Sequence, residues 1–236
     1  ATFVREQLPA LPDESSAFPR SAHAALGGHG FFEVTSAVGT ALAVAELSRA
    51  SASLGACLAN GWLFARTTAR VGADPALIAA ARSGAALGCF AFVAFGVAAE
   101  ADVGARSGQV HAVLFGAVAD HAVILSADAD GEGPNAARGL QLVDLAASGV
   151  TRGEPRADLG LARAPRALLD FSAGSLVFRG ALAAGPAGTA AVRDVTDLRC
   201  TLTAAIALGL ARRAFDRARA SRERRRSAQS TEFMRR

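Results

Sequence analysis

The stretch Leu202–Arg226 constrains the fold more than any other part of this chain. Leu202, Ile206, Leu208, Leu210 and Phe215 are distributed all round a 3.6-residue helix, whereas from Arg212 onward charged residues crowd together. A helix apolar on every side is a buried one, and a helix that turns basic is leaving the core. The expectation is a helix enclosed along its first half that emerges into a short Arg-rich end, with the chain finishing at Arg236.

With 236 residues, 51% of them hydrophobic, the chain can bury a sizeable core and has room for one large domain or two modest ones. The net charge of +4 is unevenly placed: the final twenty residues hold eight Arg against Glu223 and Glu232, and the remainder is slightly acidic. Basicity is therefore a property of the end of the chain. As a nucleic-acid site the run from Arg212 to Arg226 would supply phosphate contacts. No aromatic residue lies between Phe215 and Phe233 to stack on bases, so a solvated helix end or a subunit contact is the preferred reading.

Cys57, Cys89 and Cys200 are odd in number and widely spaced, which suggests neither a disulfide framework nor a zinc site and points to a reducing, cytoplasmic setting. No basic and apolar leader opens the sequence. The uncharged run Ser83–Ala99 contains Gly84, Gly88 and Gly96 and is read as a buried helix or strand rather than a membrane span.

In chain order, prolines punctuate the first 25 residues, and Leu26-Gly-Gly-His-Gly30 reads as a turn, since no strand enters it to make a phosphate cradle. Phe31–Val71 is helix-compatible with a break near Ser51, Ser53 and Gly55, and Asp74-Pro75 caps a further helix. From Phe90 the texture turns to strand, with Val110–Phe115, Ala122–Leu125, Leu140–Leu145, Ala167–Phe171 and Ser175–Phe178 as the expected strands. Asp128–Pro134 superficially resembles a calcium loop but lacks the third acidic ligand and the distal Glu, leaving a hairpin loop. Ala181–Gly188 reads as a linker, after which helix resumes. The order predicts an α+β protein with segregated elements: a helical domain over 1–89, a small β domain over 90–182 and a partial helical segment over 183–236.

Tests for chemistry return little. There is no G-x-S-x-G elbow, no pair of carboxylates stands out, and His23, His29, His111 and His121 fall at neither triad nor metal spacings. His111 and His121, in strand-like segments, read as hydrogen-bonded half-buried side chains.

Several local patterns in this order resemble the acyl-CoA dehydrogenase family. Gly27-Gly-His-Gly-Phe31 before an Ala-rich helix is similar to that family's early GG-x-G segment, Ala119-Asp-His-Ala-Val123 to its A-D-x-x-L/V strand, and Gly149-Val150 with Asp158–Leu161 to its return strands. Gly209–Asp216 is similar to the first helix of its C-terminal bundle. The resemblance implies a helical N-terminal domain, a small β domain and a C-terminal four-helix bundle, with FAD held between domains and across a subunit interface.

Carried over residue by residue, the flavin segment T-E-P-x-x-G-S-D meets Ala99–Arg106, in which Glu100 and Gly104 match and both hydroxyl positions are Ala. Each hydroxyl hydrogen bond lost there is worth about 0.5–1.5 kcal/mol. In register, Arg225 takes the place of the Arg that meets the FAD pyrophosphate of a neighbouring subunit, followed by Ser227 and Ala228 instead of an aromatic residue and Gly. Asp197-Leu-Arg199 resembles the D-x-x-R pair that contacts the acyl-CoA, with Arg199 one place early. The family's catalytic base is a Glu beyond this helix, and no catalytic residue is assigned in this chain.

Two functions follow as expectations. The first is a flavin-dependent oxidoreductase performing α,β-dehydrogenation on an acyl-CoA or acyl-carrier thioester, degenerate or dependent on a partner subunit. The second is a non-catalytic structural or regulatory subunit, in a homo- or hetero-oligomer with an acyl-CoA dehydrogenase homologue. Neither a metal, a membrane nor a nucleic acid enters either reading.

Overall fold

The computed structural model describes Phe18 and residues 20–91, 108–127, 138–156, 161, 163–171, 178–183 and 185–233. Its elements, in chain order, are α1 (Arg20–Gly28), a 3-10 turn (Phe31–Glu33), α2 (Ala37–Ala50), α3 (Ala52–Arg70), α4 (Pro75–Ser83), seven strands, and a final helix α5 (Gly185–Phe233). The strands are β1 (Gly88–Ala91), β2 (Gly108–Leu114), β3 (His121–Ala127), β4 (Arg138–Asp144), β5 (Val150–Arg152), β6 (Arg166–Phe171) and β7 (Phe178–Ala183). The fold is α+β, with helices before and after the strands.

The caps explain the helix starts. Ser36 accepts a hydrogen bond from the Gly39 amide and opens α2. Asp74 accepts from the Ala76 amide with Pro75 in the first turn, so α4 begins where its sequence signals place it. Between α2 and α3 the break falls at Ser51, whose extended backbone interrupts the helical run.

α3 is the central helix. Leu58, Trp62, Leu63 and Phe64 are buried in it, and the Trp62 indole N–H donates to the Val34 carbonyl at 2.7 Å. Burying aromatic and aliphatic side chains of this size contributes about 1.5–3 kcal/mol each. The same core continues through Leu87, Cys89, Phe115, Leu140, Leu142 and Leu169, so the helical layer and the strands share one interior.

The strands form two sheets. One has the order β1-β3-β4-β7, with β1 parallel to β3 and the other pairs antiparallel; the second is the antiparallel β2-β6-β5. Where β1 passes α3, Gly88 has no room for a side chain, because a Cβ would sit 2.0 Å from the Phe64 ring.

Three expectations need correction. Leu26–Gly30 is not simply a turn: Gly27 and Gly28 belong to α1, and only Gly30 takes the left-handed conformation, at φ 75°. Gly27 is there for packing, since a Cβ would lie 2.3 Å from the Ser83 carbonyl group. Residues 181–188 are not a linker, because β7 runs to Ala183 and α5 is helical from Gly185. Thirdly, α5 is not enclosed on all sides: Leu202, Ala205 and Gly209 are buried, while Leu208, Leu210 and Phe215 are exposed.

α5 instead lies on the surface along α2, touching α3, β4 and β7. Its buried positions, Ala191, Val192, Val195, Leu202, Ala205 and Gly209, recur every three to four residues and make a single stripe. At the tightest crossing a Cβ on Gly209 would be 2.2 Å from the Ala45 carbonyl oxygen. Pairs Ala45/Gly209, Glu46/Arg212 and Arg49/Asp216 advance together along both helices, so α2 and α5 run parallel.

Candidate functional site

Glu100 and Gly104, the flavin-segment candidates, lie outside the described residues, as do Asp128–Pro134 and Asp158–Gly160. The other candidates are all on α5. Asp197 and Arg199 are exposed, and because residues two apart on a helix point to opposite sides, the structure does not join them into one pair. Arg225 is also exposed, 28 residues and about 42 Å further along the same helix at 1.5 Å per residue. Within one chain these three cannot hold a common ligand.

Beside α5 is a shallow open groove of about 370 Å³ lined by Arg49, Ala211, Arg212, Phe215 and Asp216. Its charges are already paired: Arg49 with Asp216 at 2.6 Å, and Arg212 with Glu46 at 3.2 Å. Arg213 donates to the Ala50 carbonyl at the end of α2. These contacts pin α5 to α2.

Asp120 carries a dense polar cluster, and it is a staple. Its carboxylate accepts two hydrogen bonds from the Arg20 guanidinium, at 2.8 and 2.9 Å, and one from the Leu87 amide at 2.9 Å. Its own amide donates to the Leu87 carbonyl, its carbonyl accepts from the Leu145 amide, and Arg20 also donates to the Val118 carbonyl. One residue thus ties α1, the entry to β1, the entry to β3 and the end of β4 together. Burial alone would raise the Asp120 pKa, but hydrogen bonds from Arg20 and Leu87, with the Arg20 charge, outweigh it and hold the carboxyl below its ordinary value. A carboxylate so held is a poor proton acceptor. Arg20, a hundred residues away in sequence, carries no local signal that would have singled it out.

His23 is similarly committed to structure. Nδ1 donates to the Gly84 carbonyl at 3.0 Å, leaving Nε2 as a buried acceptor without a partner, and the ring packs 4.9 Å from Phe32. Burial pushes its pKa below the ordinary imidazole value, partly opposed by the Gly84 bond. His121, half-buried at the start of β3, stacks on Phe64 at 6.3 Å. Burial also raises the Cys57 thiol and takes Cys89 up to about 12, so neither is a thiolate nucleophile at neutral pH.

Among the described residues no group of three or more His, Cys, Asp or Glu could hold a metal. None of their helices is long and apolar enough to cross a membrane. Nor do they fit FAD by themselves: the phosphate-binding candidate Arg225 stands apart from Asp197 and Arg199, and the groove on α5 is shallow and already ion-paired.

No protein-family profile matches the chain, and no curated protein matches it significantly in sequence. Solved structures do match in shape. A glutaryl-CoA dehydrogenase from Mycobacterium smegmatis in complex with FADH2 superposes with TM-score 0.72 at 19% identity, over 91% of this chain and 61% of that one. Butyryl-CoA dehydrogenase from Megasphaera elsdenii gives 0.69 at 17% identity, over 84% of this chain and 59% of that chain. An acyl-CoA dehydrogenase from Geobacillus kaustophilus gives 0.69 at 19%, over 85% and 60%. The chain spans about three fifths of the length of these structures. From α1 to α5, the helical layer, the two small sheets and the closing helix have the acyl-CoA dehydrogenase-like fold.

Proposed function

We propose that this chain is part of a flavin-dependent oxidoreductase of the acyl-CoA dehydrogenase type, acting on an acyl thioester by α,β-dehydrogenation and completed by a partner subunit. The observation that carries the reading is the likeness of fold to such dehydrogenases over most of the chain. In this reading domains 1–89, 90–182 and 183–236 are the helical, β and C-terminal parts. Glu100 and Gly104 serve FAD of the same subunit, Arg225 reaches the pyrophosphate of FAD on a neighbouring one, and Asp197 and Arg199 serve the acyl thioester. The separation of Arg225 from Asp197 along α5 favours division of these roles between subunits, because an Arg fork recognises phosphate wherever the second chain presents it.

The test is a visible absorption spectrum of the full chain purified alone and after co-expression with an acyl-CoA dehydrogenase homologue. Flavin that co-purifies in either preparation supports the reading. Colourless protein in both, with no FAD retained on gel filtration, overturns it.

A second reading, a non-catalytic subunit that stabilises or regulates a catalytic homologue, is favoured by the commitment of Asp120 to Arg20 and of His23 to Gly84. It predicts a stable complex with the homologue whose turnover depends on the homologue's residues alone. Failure of the two to associate in light scattering removes it.

A further inference from the structure

His23 is a titratable side chain shut inside the helical layer. It is 2% exposed, and its ring lies 4.9 Å from that of Phe32 and 6.4 Å from that of Phe18. Its Nδ1–H reaches the carbonyl of Gly84 at 3.0 Å, just past the end of α4, where Gly84 takes a left-handed φ of 76°. Nε2 lies against α3. A Cβ on Gly61 would stand 3.1 Å from it and 2.5 Å from the Phe32 ring, so carbon atoms fill the space beside that nitrogen, and it makes no hydrogen bond.

The neutral ring suits this pocket and the charged ring does not. An imidazolium carries N–H on both nitrogens, and the second would point at a wall without an acceptor, which is costly for a buried cation. The surrounding charges do not offset that cost. Arg20, one turn earlier on α1, opposes protonation; Asp120 favours it but is already bound to Arg20. On the other elements packed here, Glu33 of the 3-10 turn, Arg70 of α3 and Arg82 of α4 are exposed, Arg66 lies over Trp62, and His121 stacks on Phe64.

We propose that His23 is an acid-sensitive latch, which holds the end of α1 on α3 and α4 while its ring is neutral and lets that end lift when the ring takes up a proton. α1 is fastened at two places. At its start Arg20 grips Asp120, and this pair survives well into acid because its hydrogen bonds hold the Asp120 carboxyl below the ordinary value. Further along, His23 bonds Gly84, and the backbones are in close contact: a Cβ on Gly84 would lie 2.7 Å from the His23 carbonyl oxygen, and one on Gly27 would lie 2.3 Å from the Ser83 carbonyl group. Packing this close leaves no slack, so a ring that must reach water to carry its charge takes the helix with it. Proton uptake undoes the second fastening and leaves the first. α1 then hinges at Arg20, and its last turn swings out with Gly30.

The direction follows from burial, which places the folded imidazole below its ordinary value of 6.5. The latch is closed above that value and weakens as the pH falls from it toward the folded value, because over that interval the released ring binds the proton and the packed ring does not. The inference concerns the helical layer alone and holds whether or not the chain carries flavin.

Hydrogen exchange of the full chain, read by mass spectrometry and corrected for the intrinsic effect of pH, tests it at about pH 7.5 and about pH 5, where the imidazole changes state and the Asp120 carboxylate does not. Protection of residues 23–30 should fall roughly tenfold or more at the lower pH, while that of residues 58–64 of α3 stays as it was. His23→Asn keeps an N–H for the Gly84 carbonyl and has nothing to protonate, so its residues 23–30 should exchange alike at both pH values. Imidazole nitrogen-15 spectra of the unaltered chain need no variant to fold: one of its four histidines should be the Nδ1–H tautomer at neutral pH and should titrate below 6.5. Protection unchanged at about pH 5, α3 losing protection together with α1, an equal loss in His23→Asn, or no histidine of that tautomer and titration would each overturn the inference.

Discussion

Gly209→Ala is the sharpest test of how α5 is held. In an open helix interior this change stabilises by about 0.8–1 kcal/mol, because alanine is the better helix former. Here the added methyl would lie 2.2 Å from the Ala45 carbonyl oxygen, 2.7 Å from the Ser48 Cβ and 3.0 Å from the Arg49 amide nitrogen. Ordinary contact begins near 3.4 Å, and two of the three atoms are backbone, which no rotamer change can move. The helices must separate by about an ångström, and overpacking of this kind costs about 1–3 kcal/mol. Contact with fixed backbone puts the cost in the upper half of that range, about 2–3 kcal/mol, and the helix-propensity gain offsets about 1 kcal/mol of it, so the expected net loss is about 1–2 kcal/mol, or roughly 2–8 °C in melting temperature for a chain of this size. Thermal and urea unfolding of the two proteins side by side measure it. Gly28→Ala is the control: nothing lies within 4 Å of a Cβ there, and it should be neutral or stabilising. If Gly209→Ala proves as benign as Gly28→Ala, α2 and α5 do not meet as described.

Two further substitutions probe the polar contacts. Asp120→Asn loses the charge-assisted bonds to Arg20 and should destabilise by about 1–3 kcal/mol at neutral pH. Because the folded carboxyl titrates below its ordinary value, its contribution is present above about pH 4 and is lost as the pH falls through the folded value; urea midpoints of the two proteins should therefore converge on acidification, and a constant gap would refute the assignment. Ser48→Ala removes a buried hydroxyl that has no hydrogen-bond partner beneath Gly55 and Gly209, and should stabilise by up to about 1 kcal/mol, read as a higher urea midpoint with unchanged slope.

Local signals carried much of this fold. The capping of α4 by Asp74 and the strands near Val110, Ala122, Leu140 and Ala167 are legible because each has its own side-chain chemistry or alternation. β7 was not legible: its second half, Gly180–Ala183, is small and has little strand preference, and it is a strand because Ala181 and Ala183 pair with Gln141 and Leu140 of β4. Gly27 likewise looked like turn chemistry and is a packing requirement, imposed by Ser83 from another helix. Asp120 stood out only as part of the Ala119–Val123 strand pattern; Arg20 was invisible because the contact spans a hundred residues, and the pair it makes with Asp120 is structural.

The final helix shows why an apolar count alone misleads. Leu202, Leu208, Leu210 and Phe215 surround the axis, which by itself predicts enclosure. The structure divides them: Leu202 joins the stripe with Ala205 and Gly209 against α2 and α3, while Leu208 and Phe215 lie on the stripe bounded by Asp197 and Arg219. The inner stripe uses small residues where helix backbones approach, and the outer one presents large residues to whatever comes from outside. Small residues stand where the helix backbones meet and large ones face away from the crossing, so burial on this helix follows the spacing of the stripe against α2 and α3 and not the number of its apolar residues.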